Sequence, residues 1–88
     1  MNDKPSLIEF PCDFPLKIIG SNTERFVAEI TEIVLKHYPQ TPDHKIQSKN
    51  SERGNYVSVT VTVFIYDQIS LDNLYRELTS HPDIKMVL

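Results

Sequence analysis

One cysteine, Cys12, is the whole thiol content of this chain. It cannot close an internal disulfide, and small secreted domains usually rely on several. There are only two glycines, Gly20 and Gly54, and neither stands in a G-x-G-x-x-G or G-x-x-x-x-G-K phosphate loop. The longest apolar runs are far too short to span a bilayer. The first ten residues, MNDKPSLIEF, contain no apolar signal core. His37, His44 and His81 share no metal-ligand spacing, and no H-x-x-x-H or C-x-x-C occurs. These absences point to a cytoplasmic protein with no catalytic constellation, no metal and no cofactor, and so to a non-enzyme.

What is present suits one small domain of 88 residues, 40% hydrophobic and 24% charged. The net charge of −3 disfavours general nucleic-acid binding, which needs a basic face to displace phosphate counterions. The charge is uneven. Lys36, Lys45, Lys49 and Arg53 stand against Asp43 and Glu52 between residues 36 and 53, a local balance of +2 within the chain's −3. The Lys45, Lys49, Arg53 strip has a plain explanation as a lysine-protected sheet edge, and a sharper one as an anion or partner site.

The most informative stretch is Tyr56–Tyr66, YVSVTVTVFIY. Side chains alternate across a strand, so Val57, Val59, Val61, Val63 and Ile65 form a dry face. Tyr56, Ser58, Thr60, Thr62 and Phe64 form a polar-aromatic one. Around it the chain reads as strand, helix, strand, strand, helix, strand. Residues 1–9 read as a loose leader before one domain over 10–88, with Phe10 anchoring an extended, proline-flanked segment. Phe14–Ile19 is the first strand, ended by Gly20, with Phe14, Leu16 and Ile18 turned inward and Lys17 outward. Ser21 and Glu24 fit a capping box opening the first helix. That helix carries Phe26, Val27, Ile30, Ile33, Val34 and His37 on one stripe and stops before Pro39. His44–Asn50 is a polar edge strand, and Ser51–Asn55 a turn in which Gly54 and Asn55 tolerate positive φ. The second helix starts near Asp67 or Ser70 and buries Leu71, Leu74, Tyr75 and Leu78. Ile84–Leu88 is the last strand. Right-handed crossovers then favour an α+β, ferredoxin-like βαββαβ sandwich, a four-stranded antiparallel sheet with both helices on one face.

That arrangement leaves the other sheet face uncovered. Its expected members are Lys17, Ile19, Tyr56, Ser58, Thr60, Thr62, Phe64, Lys85 and Val87, more apolar surface than stray exposure accounts for. Lys17, Tyr56, Ser58, Thr60, Thr62 and Phe64 are the expected partner-binding residues, for another protein or for a second copy in a homodimer. Aromatics on an open sheet face also invite comparison with RNA-binding sheets. Arg53, Gly54 and Tyr56 approximate the start of that signature, but Ser58, Thr60 and Thr62 fill its middle, which makes RNA the weaker reading. Cys12 lies next to Asp13, which opposes thiolate formation. His37 and His81 read as helix-end and loop residues.

The segment Phe10–Gly20, FPCDFPLKIIG, the run Ser51–Thr60 with Gly54, Asn55, Tyr56 and Ser58, and the ending with Leu74, Tyr75, Glu77, Leu78, Met86, Val87 and Leu88 resemble the YbeD-like family. These are small bacterial proteins of unassigned function. The resemblance spans about residues 8–88 and implies a fold similar to ACT-type regulatory domains. It brings no catalytic residues. It implies a second reading, a sensor of amino acids or small carboxylates, with its site at the helix start, Gly20, Ser21, Asn22 and Thr23.

Overall fold

In the computed structural model, which describes residues 9–88, the sheet is built around the valine strand. The expected leader lies outside the described residues, Glu9 apart. The elements are β1 (Cys12–Ser21), α1 (Phe26–His37), a short 3-10 turn (Asp43–Lys45), β2 (Ile46–Asn50), β3 (Tyr56–Ile65), α2 (Gln68–Thr79) and β4 (Ile84–Val87). The sheet order is β2-β3-β1-β4, and every neighbouring pair is antiparallel. This is the expected ferredoxin-like sandwich, with β3 and β1 central and the polar β2 at an edge.

The period-two pattern of β3 decides where the core sits. Val57, Val59, Val61, Val63 and Ile65 are 2% exposed or less. They meet Phe26, Ile30 and Val34 of α1 and Leu71, Leu74 and Leu78 of α2, with Leu16 and Ile18 of β1. Burying each large apolar side chain of this kind is worth about 1.5–3 kcal/mol. Phe10 and Phe14 are half-buried against the same cluster, as expected. The α2 start is capped by Asp67, whose Oδ1 accepts the Ser70 N–H at 2.8 Å.

Four local expectations are corrected. The Ser21–Glu24 capping box does not form: α1 begins at Phe26, its N-cap is Arg25, and no side chain caps it. Ser21 is instead the last residue of β1, opposite Tyr56, and its N–H donates to the Asp83 carbonyl at 2.9 Å. Two strands compete with the helix for this backbone and win. Gly20 therefore does not end the strand. It is buried within it, where the β1–β4 register shifts between Ile19 and Gly20. A Cβ at Gly20 would lie 2.6 Å from the Asp83 carbonyl oxygen and closer still to the Phe26 ring, so the residue is there for close packing.

The same register shift corrects β4. Val87 pairs with Ile18 and packs against the core, while Met86 pairs with Ile19 and is 50% exposed. Met86 thus takes the place on the open face that was expected of Val87. His44 falls in the 3-10 turn, and β2 starts at Ile46. Among the described residues no helix is long and apolar enough to cross a membrane.

Candidate functional site

The face of the sheet away from the helices is laid out in rows by the strand register. Asp13 stands opposite Phe64, Pro15 opposite Thr62, Lys17 opposite Thr60, Ile19 opposite Ser58, and Ser21 opposite Tyr56. On the β2 side, Gln47 pairs with Thr60 and Lys49 with Ser58. The six expected contact residues therefore do share one surface. Thr60 is exposed at its centre, Tyr56 and Phe64 are about half exposed at its ends, and Ser58 and Thr62 are half-buried between. Eight residues separate the two aromatics, about 26 Å at strand rise. They cannot work on one small ligand together.

Each aromatic borders its own hollow. The larger, about 460 Å³, lies where the end of α1 meets the sheet; Phe64, Tyr66, Tyr38 and Thr62 line it, with Asp13 and Lys45 at its rim. Phe64 and Tyr66 meet edge to face, with ring centroids 5.5 Å apart. Tyr38 is buried, and its hydroxyl bonds to the Ser70 hydroxyl at 2.9 Å. Burial pushes its phenol above the ordinary range, with the nearby Asp67 charge acting the same way and the Ser70 bond opposing. Lys45 Nζ stands 3.7 Å from Asp13, a loose surface pair. The smaller hollow, about 350 Å³, is lined by Lys17, Ile19, Lys49, Tyr56 and Ser58, with Glu52 on the hairpin that closes one end.

The helix-start loop is differently built from what an anion site requires. The Ser21 N–H goes to Asp83, the Asn22 N–H to the Asn55 carbonyl at 3.1 Å, and the Thr23 N–H to the Ser21 carbonyl at 2.9 Å. The Asn22 side chain donates to the Gly54 carbonyl at 2.8 Å. The two Asn22 donors lace the loop to the β2–β3 hairpin and Ser21 ties it to the turn before β4, so none of the three N–H groups is turned to a ligand. Gly54 itself adopts φ +75°, the left-handed conformation its turn requires.

The histidines hold the helical layer together across long sequence separations. His37 Nε2 and Lys36 Nζ both reach Glu77, at 2.8 and 2.9 Å. Those two hydrogen bonds hold the Glu77 carboxyl below the usual carboxylate range. His81 Nε2 lies 2.8 Å from Glu29 Oε1, and its ring stands edge-on to Phe26. Glu29, His81 and Asp83 bring three ligand-type atoms within 4.8 Å of one another. Their closeness has a simpler cause than a metal. The Asp83 N–H donates to His81 Nδ1 at 3.1 Å, which puts the neutral ring's proton on Nε2, facing Glu29. Both nitrogens are thereby engaged in a clasp between α1 and the turn before β4. Neither this clasp nor the Tyr38–Tyr66 hollow was legible in the residue spacings. Cys12 is half-buried at the start of β1, opposite Ile65.

A family described as "Protein of unknown function (DUF493)" matches residues 5–88. The chain belongs to the DUF493 family. A relative from Neisseria gonorrhoeae, a UPF0250 protein, is 48% identical over 86 residues, which cover 98% of this chain and 94% of the relative. A UPF0250 protein from Chromobacterium violaceum is 44% identical over 87 residues, 99% and 98% of the two chains. DUF493 thus bears out the resemblance to a bacterial family of unassigned function. Two solved structures share the fold. The solution structure of a Helicobacter pylori protein matches with a TM-score of 0.69 at 15% identity, covering 97% of this chain and 88% of that one. The crystal structure of the ACT domain from the GTP pyrophosphokinase of Chlorobium tepidum matches with a TM-score of 0.68 at 18% identity, covering 88% and 97%. At such identities the likeness is one of fold: the chain has an ACT-like ferredoxin fold.

Proposed function

We propose that this chain is a non-enzymatic regulatory or interaction module of the cytoplasm, docking another protein or a second copy through its open sheet face. Lys17, Tyr56, Ser58, Thr60, Thr62 and Phe64 make the contact. One observation carries the reading. Both helices pack on the valine face, so the opposite face of the sheet is left with Tyr56 and Phe64 of β3 and Met86 of β4 each about half exposed. Exposed apolar surface gathered on one face is characteristic of interaction sites. The fold likeness to an ACT domain, itself one part of a larger enzyme, supports a role in association.

Light scattering combined with Thr60→Glu tests this. Thr60 is exposed and pairs with Lys17 and Gln47, so glutamate there faces a cation across the strands and is tolerated by the fold, but stands in the middle of any contact. The expected result is a melting temperature no lower than the parent's and at least tenfold weaker association, with itself or with a captured partner. A monomer whose partner contacts all survive Thr60→Glu refutes the reading.

The small-ligand reading at Gly20, Ser21, Asn22 and Thr23 has less to support it, because the backbone donors it needs are bound to carbonyls of the chain. A thermal-shift screen against amino acids and small carboxylates decides it. A ligand at a hundred times its Kd adds about 2.7 kcal/mol of stability, and no shift at millimolar concentration ends that reading.

A further inference from the structure

The geometry points to an acidic, extended segment of a partner protein as the occupant of the hollow between Lys17, Lys49 and Tyr56, its carboxylates set between the two lysines. This rests on the open face being the docking surface and names the chemistry of what docks there.

Charge is the first argument. Lys17 on β1 and Lys49 on β2 flank Ser58 and Thr60 of β3, two strands and two residues apart, about 12 Å between backbones. Among the described residues neither has a carboxylate within 4 Å, whereas Lys36 and Lys45 do. Glu52 is the one acid bordering the hollow, at its hairpin end. A neutral surface laid here would strip water from two ammonium groups and return nothing, which is costly. Carboxylates would pair them.

The same charges weigh against a second copy. A twofold contact presents the same patch from both sides. Two copies laid face to face with these hollows together would gather four ammonium groups with only Glu52 from each in compensation, and like charges across an interface cost several kcal/mol. RNA supplies anions too, but only Tyr56 is available here for stacking, since Phe64 lies about 26 Å away in the other hollow.

Shape adds the word extended. Lys17 and Lys49 stand about 12 Å apart on one face, and residues i and i+4 of an extended segment turn to the same side about 13 Å apart. A segment lying across the strands with acids at every second position therefore faces both lysines at once, and the methylene stems of those acids pass over Ile19 and Tyr56.

The test uses the whole protein, labelled with ¹⁵N, and an acetylated, amidated heptapeptide alternating glutamate with valine. A lysine–valine peptide and a short oligouridylate are the comparison arms. The expected result is amide shifts gathered around Lys17–Ile19, Lys49–Ser51 and Tyr56–Ser58, with an affinity that falls between about 50 and 300 mM salt. Lys17→Glu with Lys49→Glu should retain the amide spectrum and weaken binding at least about tenfold. No shift at millimolar glutamate peptide overturns the inference. So does equal binding of the lysine peptide, or tighter binding of the oligouridylate. The two levels separate cleanly with a captured protein partner. A complex that survives Thr60→Glu removes the open face itself. One that is lost in Thr60→Glu but intact in the double lysine variant keeps the face and removes the acidic segment.

Discussion

Gly20→Ala is the sharpest test of how the sheet and helix α1 are fitted together. The added methyl would press on the Phe26 ring and lie 2.6 Å from the Asp83 carbonyl oxygen. Phe26 is fully buried, so its ring has nowhere to swing. Asp83 is held by the Ser21 N–H, so moving its carbonyl breaks a hydrogen bond worth about 1 kcal/mol. Overpacking of this kind costs about 1–3 kcal/mol. Stiffening the unfolded chain by replacing glycine returns about 0.4–1 kcal/mol. The net expectation is a loss of about 1–3.5 kcal/mol, or about 5–25 °C in melting temperature for a domain of this size. Thermal and urea unfolding followed by circular dichroism measure it. Phe26→Leu makes room in the place where the methyl must go. The double variant should therefore be less destabilised than the two single losses summed, by about 1 kcal/mol or more. A Gly20→Ala protein melting within about 3 °C of the parent, or simple additivity in the double variant, would show that Gly20 is present for some other reason.

Other outcomes follow from the same contacts. Leu74→Ala, at a fully buried position on α2, should cost about 2–5 kcal/mol in urea unfolding. Gly54→Ala meets no neighbouring atom but must hold φ +75°, so its cost is conformational only, about 1–2 kcal/mol, with the β2–β3 amide pattern retained by NMR. Glu77→Gln should matter at neutral pH and not in acid. Lys36 and His37 lower the folded-state value of this carboxyl, so its contribution is present above the ordinary value of 4.5 and lost as the pH falls through the lowered one. Melting curves of parent and variant should differ at pH 7, with a gap that closes as the pH falls below 4.5, and a gap that stays constant in acid would refute the assignment.

The element order and the core were readable because β3 announces itself. Five β-branched residues at strict alternation leave one solution for the sheet's dry side, and both helices carry matching stripes. The errors lie where one local signal met a stronger distant one. Ser21 and Glu24 look like a helix start in sequence, but β3 and Asp83 hold Ser21 in the sheet. Val87 takes the face opposite to the one plain alternation gives it because the register slips beside Gly20, and nothing in the residues there marks that slip. The candidate face was legible in its β1 and β3 members. For Lys49 the sequence leaves edge protection and an anion or partner site both open, and only the β2–β3 register brings it beside Lys17. The histidine clasps join residues from opposite ends of the chain, Glu29 with His81 and His37 with Glu77, a distance over which spacing carries no information.

The central place of β1 has a kinetic consequence. Its two partners, β3 and β4, come from the second half of the chain, and Ile18 waits for Val87 across nearly the whole sequence. Topologies closed by such distant pairings fold slowly, because loop closure must be met before the contacts reward it. During synthesis Leu16 and Ile18 emerge early and stay without a strand partner until β3 follows, and Ile18 lacks its second until Val87 does. For a growing chain of this kind, that interval of unpaired strand is its most vulnerable state.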